Sequence, residues 1–127
     1  MDRIVNSYRD LRVWQDAMTL AQACFEVTKE LPKEELFGMS AQIRTSSSSI
    51  AANIAEGHGR EQTRPFIQFL RIAQGSLKEL ETHLIILAER VQLLNTAKVR
   101  PLLANCDGLG RMLRSYIRSL QRRAAEV

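Results

Sequence analysis

The chain has 127 residues, 45% hydrophobic, 25% charged and only 6% aromatic, with a net charge of +4. This length and balance fit one globular domain with a single core. No apolar run approaches the ~20 residues that span a membrane, and Met-Asp-Arg-Ile-Val-Asn at the start lacks the apolar centre of a signal peptide, so a cytoplasmic location with no membrane partner is expected. Residues 1–10 are polar and read as an arm or a turn. Helix 1 is expected over about residues 10–31, because Leu11, Trp14, Met18, Ala21, Phe25 and Thr28 repeat at spacings of 3 and 4. Asp10 is placed at its N-cap or first turn, and Pro32 stops it by pushing Leu31 out of the helical region.

Helix 2 is expected over residues 39–56 and has no obvious wet face. Met39, Ile43, Ile50 and Ile54 fall on one side of the wheel, while Ala41, Thr45, Ser48, Ala52 and Ala55 fall opposite. Lys and Glu usually occupy a water-facing side. A stripe of Ala, Ser and Thr instead admits another backbone, so this side is read as a face toward another subunit. Gly57 is the expected left-handed cap.

Helix 3 is expected over residues 64–94, with Thr63 as N-cap and Pro65 in the first turn. Phe66, Leu70, Ala73, Leu77, Leu80, Leu84, Leu87, Val91 and Leu94 keep one stripe throughout. About thirty residues make a rod of roughly 45 Å, a length suited to a bundle. Ile72, Gly75, Ile86 and Leu93 point away from that stripe and are the expected mate, in a neighbouring subunit, for the small-residue face of helix 2.

Asn95-Thr96 supply a turn and cap for helix 4, expected over residues 96–123. Leu102, Cys106, Leu109, Leu113, Tyr116 or Ile117, and Leu120 form its stripe, Pro101 is expected to kink it or delay its first turn, and Ala124–Val127 are expected to fray. Four amphipathic segments with short connections predict an all-α fold, an antiparallel up-down-up-down four-helix bundle of one domain over residues 1–127 that forms a homo-oligomer.

Gln42-Ile43-Arg44 followed by Ser49-Ile50-x-x-Asn53-Ile54-Ala55-Glu56-Gly57 resembles the bacterial four-helix bundle proteins first noticed as products of intervening sequences inside 23S ribosomal RNA genes. Tyr8-Arg9-Asp10-Leu11-x-Val13-Trp14-Gln15, Pro32-Lys33-Glu34-Glu35, Phe66-x-x-Phe69-Leu70 and Ala73-x-Gly75-Ser76-Leu77-x-Glu79-Leu80-Glu81-Thr82 extend the resemblance over about residues 8–120. The resemblance implies a homopentamer. It also implies a fold similar to the accessory variability determinant of diversity-generating retroelements, a basic pentamer that binds a reverse transcriptase and nucleic acid; that role is a distant analogy. Ala51 stands where proteins of this type often carry proline, which leaves no proline to kink helix 2.

No constellation points to catalysis, a cofactor or a metal. The serines 46–49 have neither a Gly-rich phosphate loop nor a nucleophile elbow around them, and His58 and His83 have no nameable acid–base partner. Cys24 and Cys106 read as reduced, buried residues. Gln42, Ser49, Asn53 and Glu56 share a flank of helix 2. With Arg44, Glu79 and Glu81 they are read first as a buried polar network setting how helices 2 and 3 pack, and second as a ligand pocket.

Charge is concentrated late. Residues 98–127 carry seven basic side chains against two acidic, a net of +5, whereas the first 97 carry 11 against 12. Arg111, Arg114, Arg118 and Arg122 share a face, and Arg123 extends the cluster. One reading is a solvated face with ion pairs. The other is a track for the phosphates of RNA or DNA, with few aromatics to stack on bases and hence little sequence preference. The expected function is therefore that of a non-enzymatic oligomer that binds nucleic acid through helix 4. The alternative is an adaptor that docks a protein partner such as a polymerase.

Overall fold

The computed structural model describes residues 7–125. The expected arm over residues 1–6 and the last two residues of the expected tail lie outside the described residues. Ser7 caps a 3-10 turn, Tyr8–Asp10, its hydroxyl accepting from the Arg9 amide at 3.2 Å. α1 follows as Arg12–Thr28, with extended Leu11 at its N-cap, so Asp10 sits in the preceding turn and does not cap the helix. The amides of Lys29, Glu30 and Leu31 bond to carbonyls three residues back, tightening the exit toward Pro32.

The face that α1 turns inward is not its most obvious stripe. Val13, Ala17, Leu20, Cys24 and Val27 are buried, while Met18 and Phe25 remain 45% and 39% exposed. The helix carries two apolar stripes about one residue apart on the wheel. The smaller set fills the core; of the bulkier set, Met18 and Phe25 stay at the surface while Trp14 packs half-buried against the core's edge.

α2 is Met39–Gly59 and runs past the expected stop. Ile43, Ile50 and Ile54 are fully buried, as the pattern requires, and Ser46, Ser47 and Ala51 are buried with them. Gly57 is not a left-handed cap, since no described glycine has a positive φ; the left-handed residue of this turn is Glu61, at φ 58°. Gly57 is there for space: a Cβ on it would lie 2.5 Å from the Cβ of Phe69 and 3.0 Å from Phe66.

α3 is Thr63–Ile85, with extended Gln62 at its N-cap, so Thr63 is the first helical residue. The apolar stripe is buried from Phe66 to Leu87 and then breaks. Ile86–Arg90 form a π-turn, with Val91 N–H donating to the Ile86 carbonyl at 2.9 Å. The wider turn shifts the register, exposing Val91 at 52% while Leu94 returns to the core from the connector.

α4 is Thr96–Ala125. The Asn95 side chain caps it by accepting from the Ala97 amide at 2.8 Å. Pro101 lies within the helix and does not delay its start, and Ala124–Ala125 are still helical where fraying was expected. Ile117 takes the core position; Tyr116 is half-buried and meets Phe66 edge-on at 5.6 Å.

All four helices pack around one core. α1 lies beside α2, α2 beside α3, α3 beside α4 and α4 beside α1, and no Cα atoms of the two diagonal pairs come within 8 Å among the described residues. Thus the fold is all-α, with four helices and no strand among the described residues.

Candidate functional site

The inward face of α4 is Val99, Leu102, Cys106, Leu109, Leu113, Ile117 and Leu120. That periodicity forces Arg111, Arg114, Arg118 and Arg122 outward, and all four are exposed. Arg111 is engaged by Asp107 one turn earlier. Arg114, Arg118, Arg122 and Arg123 have no acidic partner within ion-pair distance among the described residues. Unpaired guanidiniums keep their full field and all five donors for an external anion. Arg123 departs from the stripe. It lines a groove of about 680 Å³ with Leu11, Val13, Met112 and Tyr116, and its charge opposes the upward push that burial gives the Tyr116 phenol.

The two expected subunit faces are both open in the single chain. Thr45, Ser48 and Ala52 are exposed and Ala41 and Ala55 half-buried on α2; Ile72, Gly75, Ile86 and Leu93 are exposed on α3 and its extension. The outer stripe of α1 completes the first face. Tyr8, Trp14, Met18 and Phe25 join Ser48, Ala52 and Ala55 around a shallow apolar groove of about 690 Å³. Sequence reasoning missed this half, because it assigned Trp14, Met18 and Phe25 to the core. The second face is smooth at Gly75, where an added Cβ would meet nothing within 4 Å.

The seven residues expected to form one polar network do not converge. Only Ser49 and Asn53 do what was expected: Ser49 Oγ shares a hydrogen bond with Ser76 Oγ at 2.9 Å across α2 and α3, and Asn53 Nδ2 donates to Ser49 Oγ at 2.9 Å. Arg44 turns the other way, donating to Thr28 Oγ1 at 3.1 Å and lying 5.3 Å over the Phe25 ring, so it ties α2 to α1. Glu56 pairs with Arg60, the residue that ends α2, Glu79 and Glu81 meet His83 and Lys78 within α3, and Gln42 is exposed. The physical reason is distance along the helix: a partner one turn away on the same surface costs less side-chain entropy than one across the bundle. Ser46, Ser47 and Ser48 all donate back to carbonyls of their own helix, which satisfies their hydroxyls and leaves none poised as a nucleophile.

Residues 9–115 match the 23S rRNA-intervening sequence protein family. The chain belongs to that family. Among solved structures it is similar to a Bacteroides thetaiotaomicron protein of unknown function from the S23 ribosomal protein family: 27% identity, TM-score 0.76, 83% of this chain and 97% of that chain covered. No curated protein matches.

The family match stops short of the basic tail. Arg111 and Arg114 lie inside it, whereas Arg118, Arg122 and Arg123 lie beyond residue 115. The packing residues of α2 and α3, by contrast, fall wholly within it. Among the described residues no cluster of His, Cys, Asp and Glu could hold a metal ion, and no helix is long and apolar enough to cross a membrane. Cys24 and Cys106 are free and buried, and burial pushes each thiol up to about 12, leaving negligible thiolate at neutral pH.

Proposed function

We propose that this family member is a non-enzymatic, cytoplasmic, antiparallel up-down-up-down bundle that assembles with copies of itself and binds RNA through α4. The observation that carries the reading is the exposed run Arg114, Arg118 and Arg122, unpaired among the described residues, on the one quarter of the chain with a large positive excess. The antiparallel order is supported by Arg44 near the start of α2 bonding to Thr28 at the end of α1, and by Gly57 late in α2 lying against Phe66 and Phe69 early in α3. A pentamer follows the family resemblance, and the open apolar faces on α1, α2 and α3 are what such an assembly needs. RNA is preferred to DNA as the first ligand because the solved neighbour belongs to a family named for a ribosomal protein. In an oligomer the stripe recurs once per subunit, turning weak phosphate contacts into avidity.

The test is a gel shift with unstructured and duplex RNA at several salt concentrations. Affinity should fall steeply between about 50 and 200 mM salt, and Arg114→Glu with Arg118→Glu should abolish the shift. A shift indifferent to both changes removes the proposal. The adaptor reading is favoured by one observation, the apolar groove between α1 and α2. It predicts that a specific protein co-purifies after nuclease treatment and is lost in Met18→Glu.

A further inference from the structure

Many helix hydroxyls in this chain are spent on the fold. Those of Thr19, Thr28, Ser46, Ser47, Ser48 and Thr82 donate to carbonyls of their own helix, and Ser49 meets Ser76. Two on α4 are not. Ser115 and Ser119 make no hydrogen bond among the described residues, and neither do the Tyr116 phenol and the Arg123 guanidinium. All four line one groove of about 680 Å³ between the start of α1 and the second half of α4, and Leu11, Val13 and Met112 give it an apolar wall. A cleft of that size, with apolar walls and a few unused polar groups, has the make-up of a ligand site. None of its lining residues belongs to the apolar groove beside α2 or to the outer face of α3.

Charge and position narrow the ligand. The lining carries Arg12 and Arg123 against Asp10, a net of +1; Asp10 is not free, and Arg12 meets Asp16 at 3.9 Å. Arg123 is thus the cation left for an anion. At about 100° per residue, Ser115 and Ser119 fall between the outward stripe of Arg111, Arg118 and Arg122 and the groove side of Tyr116 and Arg123. The groove therefore opens directly off the arginine stripe, and Arg122 and Arg123, adjacent in sequence, serve one each. A phosphate chain on the stripe has apolar surface, unused hydroxyls and a further cation beside it. A flat heteroaromatic ring with donors and acceptors on its edge, attached to a phosphate, uses all three. An apolar side chain or a lipid tail would leave the hydroxyls and Arg123 without partners. We propose that the α1–α4 groove takes one unstacked base of a single-stranded RNA whose backbone lies on Arg118 and Arg122, with Arg123 on the adjoining phosphate. This pocket rests on the RNA reading of α4 and adds to it a preference for single strands, because a base paired within a duplex cannot enter the groove without leaving its stack.

Fluorescence anisotropy on the full chain, with a short labelled RNA as single strand and as duplex, tests this. At one salt concentration the single strand should bind about tenfold more tightly or better. Ser119→Trp fills the groove without changing charge and should remove that advantage, leaving duplex affinity as it was. Arg123→Gln should weaken the single strand about tenfold with little effect on the duplex, whereas Arg122→Gln should weaken both. That pair of variants decides the matter if Ser119→Trp loses helicity. Equal affinity for the two forms in the parent chain overturns the pocket and leaves the RNA reading of α4 standing; binding of neither form removes both. A Ser119→Trp chain that keeps its helicity and its single-strand preference also overturns the pocket. So does one whose particle mass falls in light scattering while its RNA affinity is unchanged, since the occupant is then another chain.

Discussion

The two apolar stripes of α1 make an instructive pair. The inner one, Val13, Ala17, Leu20, Cys24 and Val27, is built from small and medium side chains and is buried almost completely. The outer one, with Trp14, Met18 and Phe25, is larger and more hydrophobic, yet it lies along the surface groove beside Ser48, Ala52 and Ala55. Hydrophobicity alone would have reversed the assignment. Close helix packing selects for volumes that interdigitate at one spacing, so Ala17 against a neighbouring helix does more than Trp14 could. The bulky stripe is left along the surface, where it lines the groove beside α2.

Substitutions can separate the two stripes. Leu20→Ala should destabilise the folded chain by about 2–5 kcal/mol, through lost transfer energy and a residual cavity. Met18→Ser should change it by only about 0.5 kcal/mol in the dissociated chain. Denaturant unfolding of both variants measures the difference, and equal losses would show that the outer stripe is also core. Gly57→Ala comes next. The added Cβ meets the backbone-proximal Cβ of Phe69, which cannot swing aside, so overpacking of about 1–3 kcal/mol should outweigh the helix-propensity gain of roughly 1 kcal/mol. A Gly57→Ala variant as stable as the parent would mean α2 and α3 cross less closely.

Alkaline pH probes the shared core, where Cys24 of the inner stripe and Cys106 of α4 are both buried, without changing a shape. Both thiols are raised from 9.0 to about 12 by burial, so the folded chain holds protons that the unfolded chain releases in that window. Stability from this source is complete below about pH 9 and is lost as pH climbs toward 12, by about 1.4 kcal/mol per unit for each thiol. The slope should flatten in a Cys24→Ala, Cys106→Ala chain measured by thermal melts across pH 8–11. The smallest effect on folding should come from Ala52→Glu or Ile86→Lys. Helicity should persist by circular dichroism while the assembly splits, and a wild-type chain that is monomeric in light scattering would remove the side-by-side reading.

The candidate site was partly legible in advance. Helical spacing alone places Arg111, Arg114, Arg118 and Arg122 together and outward, because one inward stripe fixes every other position on the wheel. Ser49 and Asn53 were likewise placed on the flank that meets α3. Arg44 was not: its choice of Thr28 and Phe25 over the α3 side depends on the connector that brings the end of α1 beside the start of α2. Nor was the exposure of Phe37, since a connector has no period from which to read direction. The π-turn at Ile86–Arg90 also left no signature, because the 3–4 repeat continues in the sequence through Val91 while the backbone has already changed pitch.

The sequence by itself determined the number of helices, most of their boundaries to within a few residues, the core faces of α2 and α4 and most of that of α3, and the family. These follow from local periodicity, prolines and caps, which act within a turn or two. Tertiary structure alone decided which of two apolar stripes on α1 goes inside, why Gly57 must be glycine, and where the polar flank of α2 finds its partners. Each of those is a competition between surfaces brought together from distant parts of the chain, settled by volume and reach.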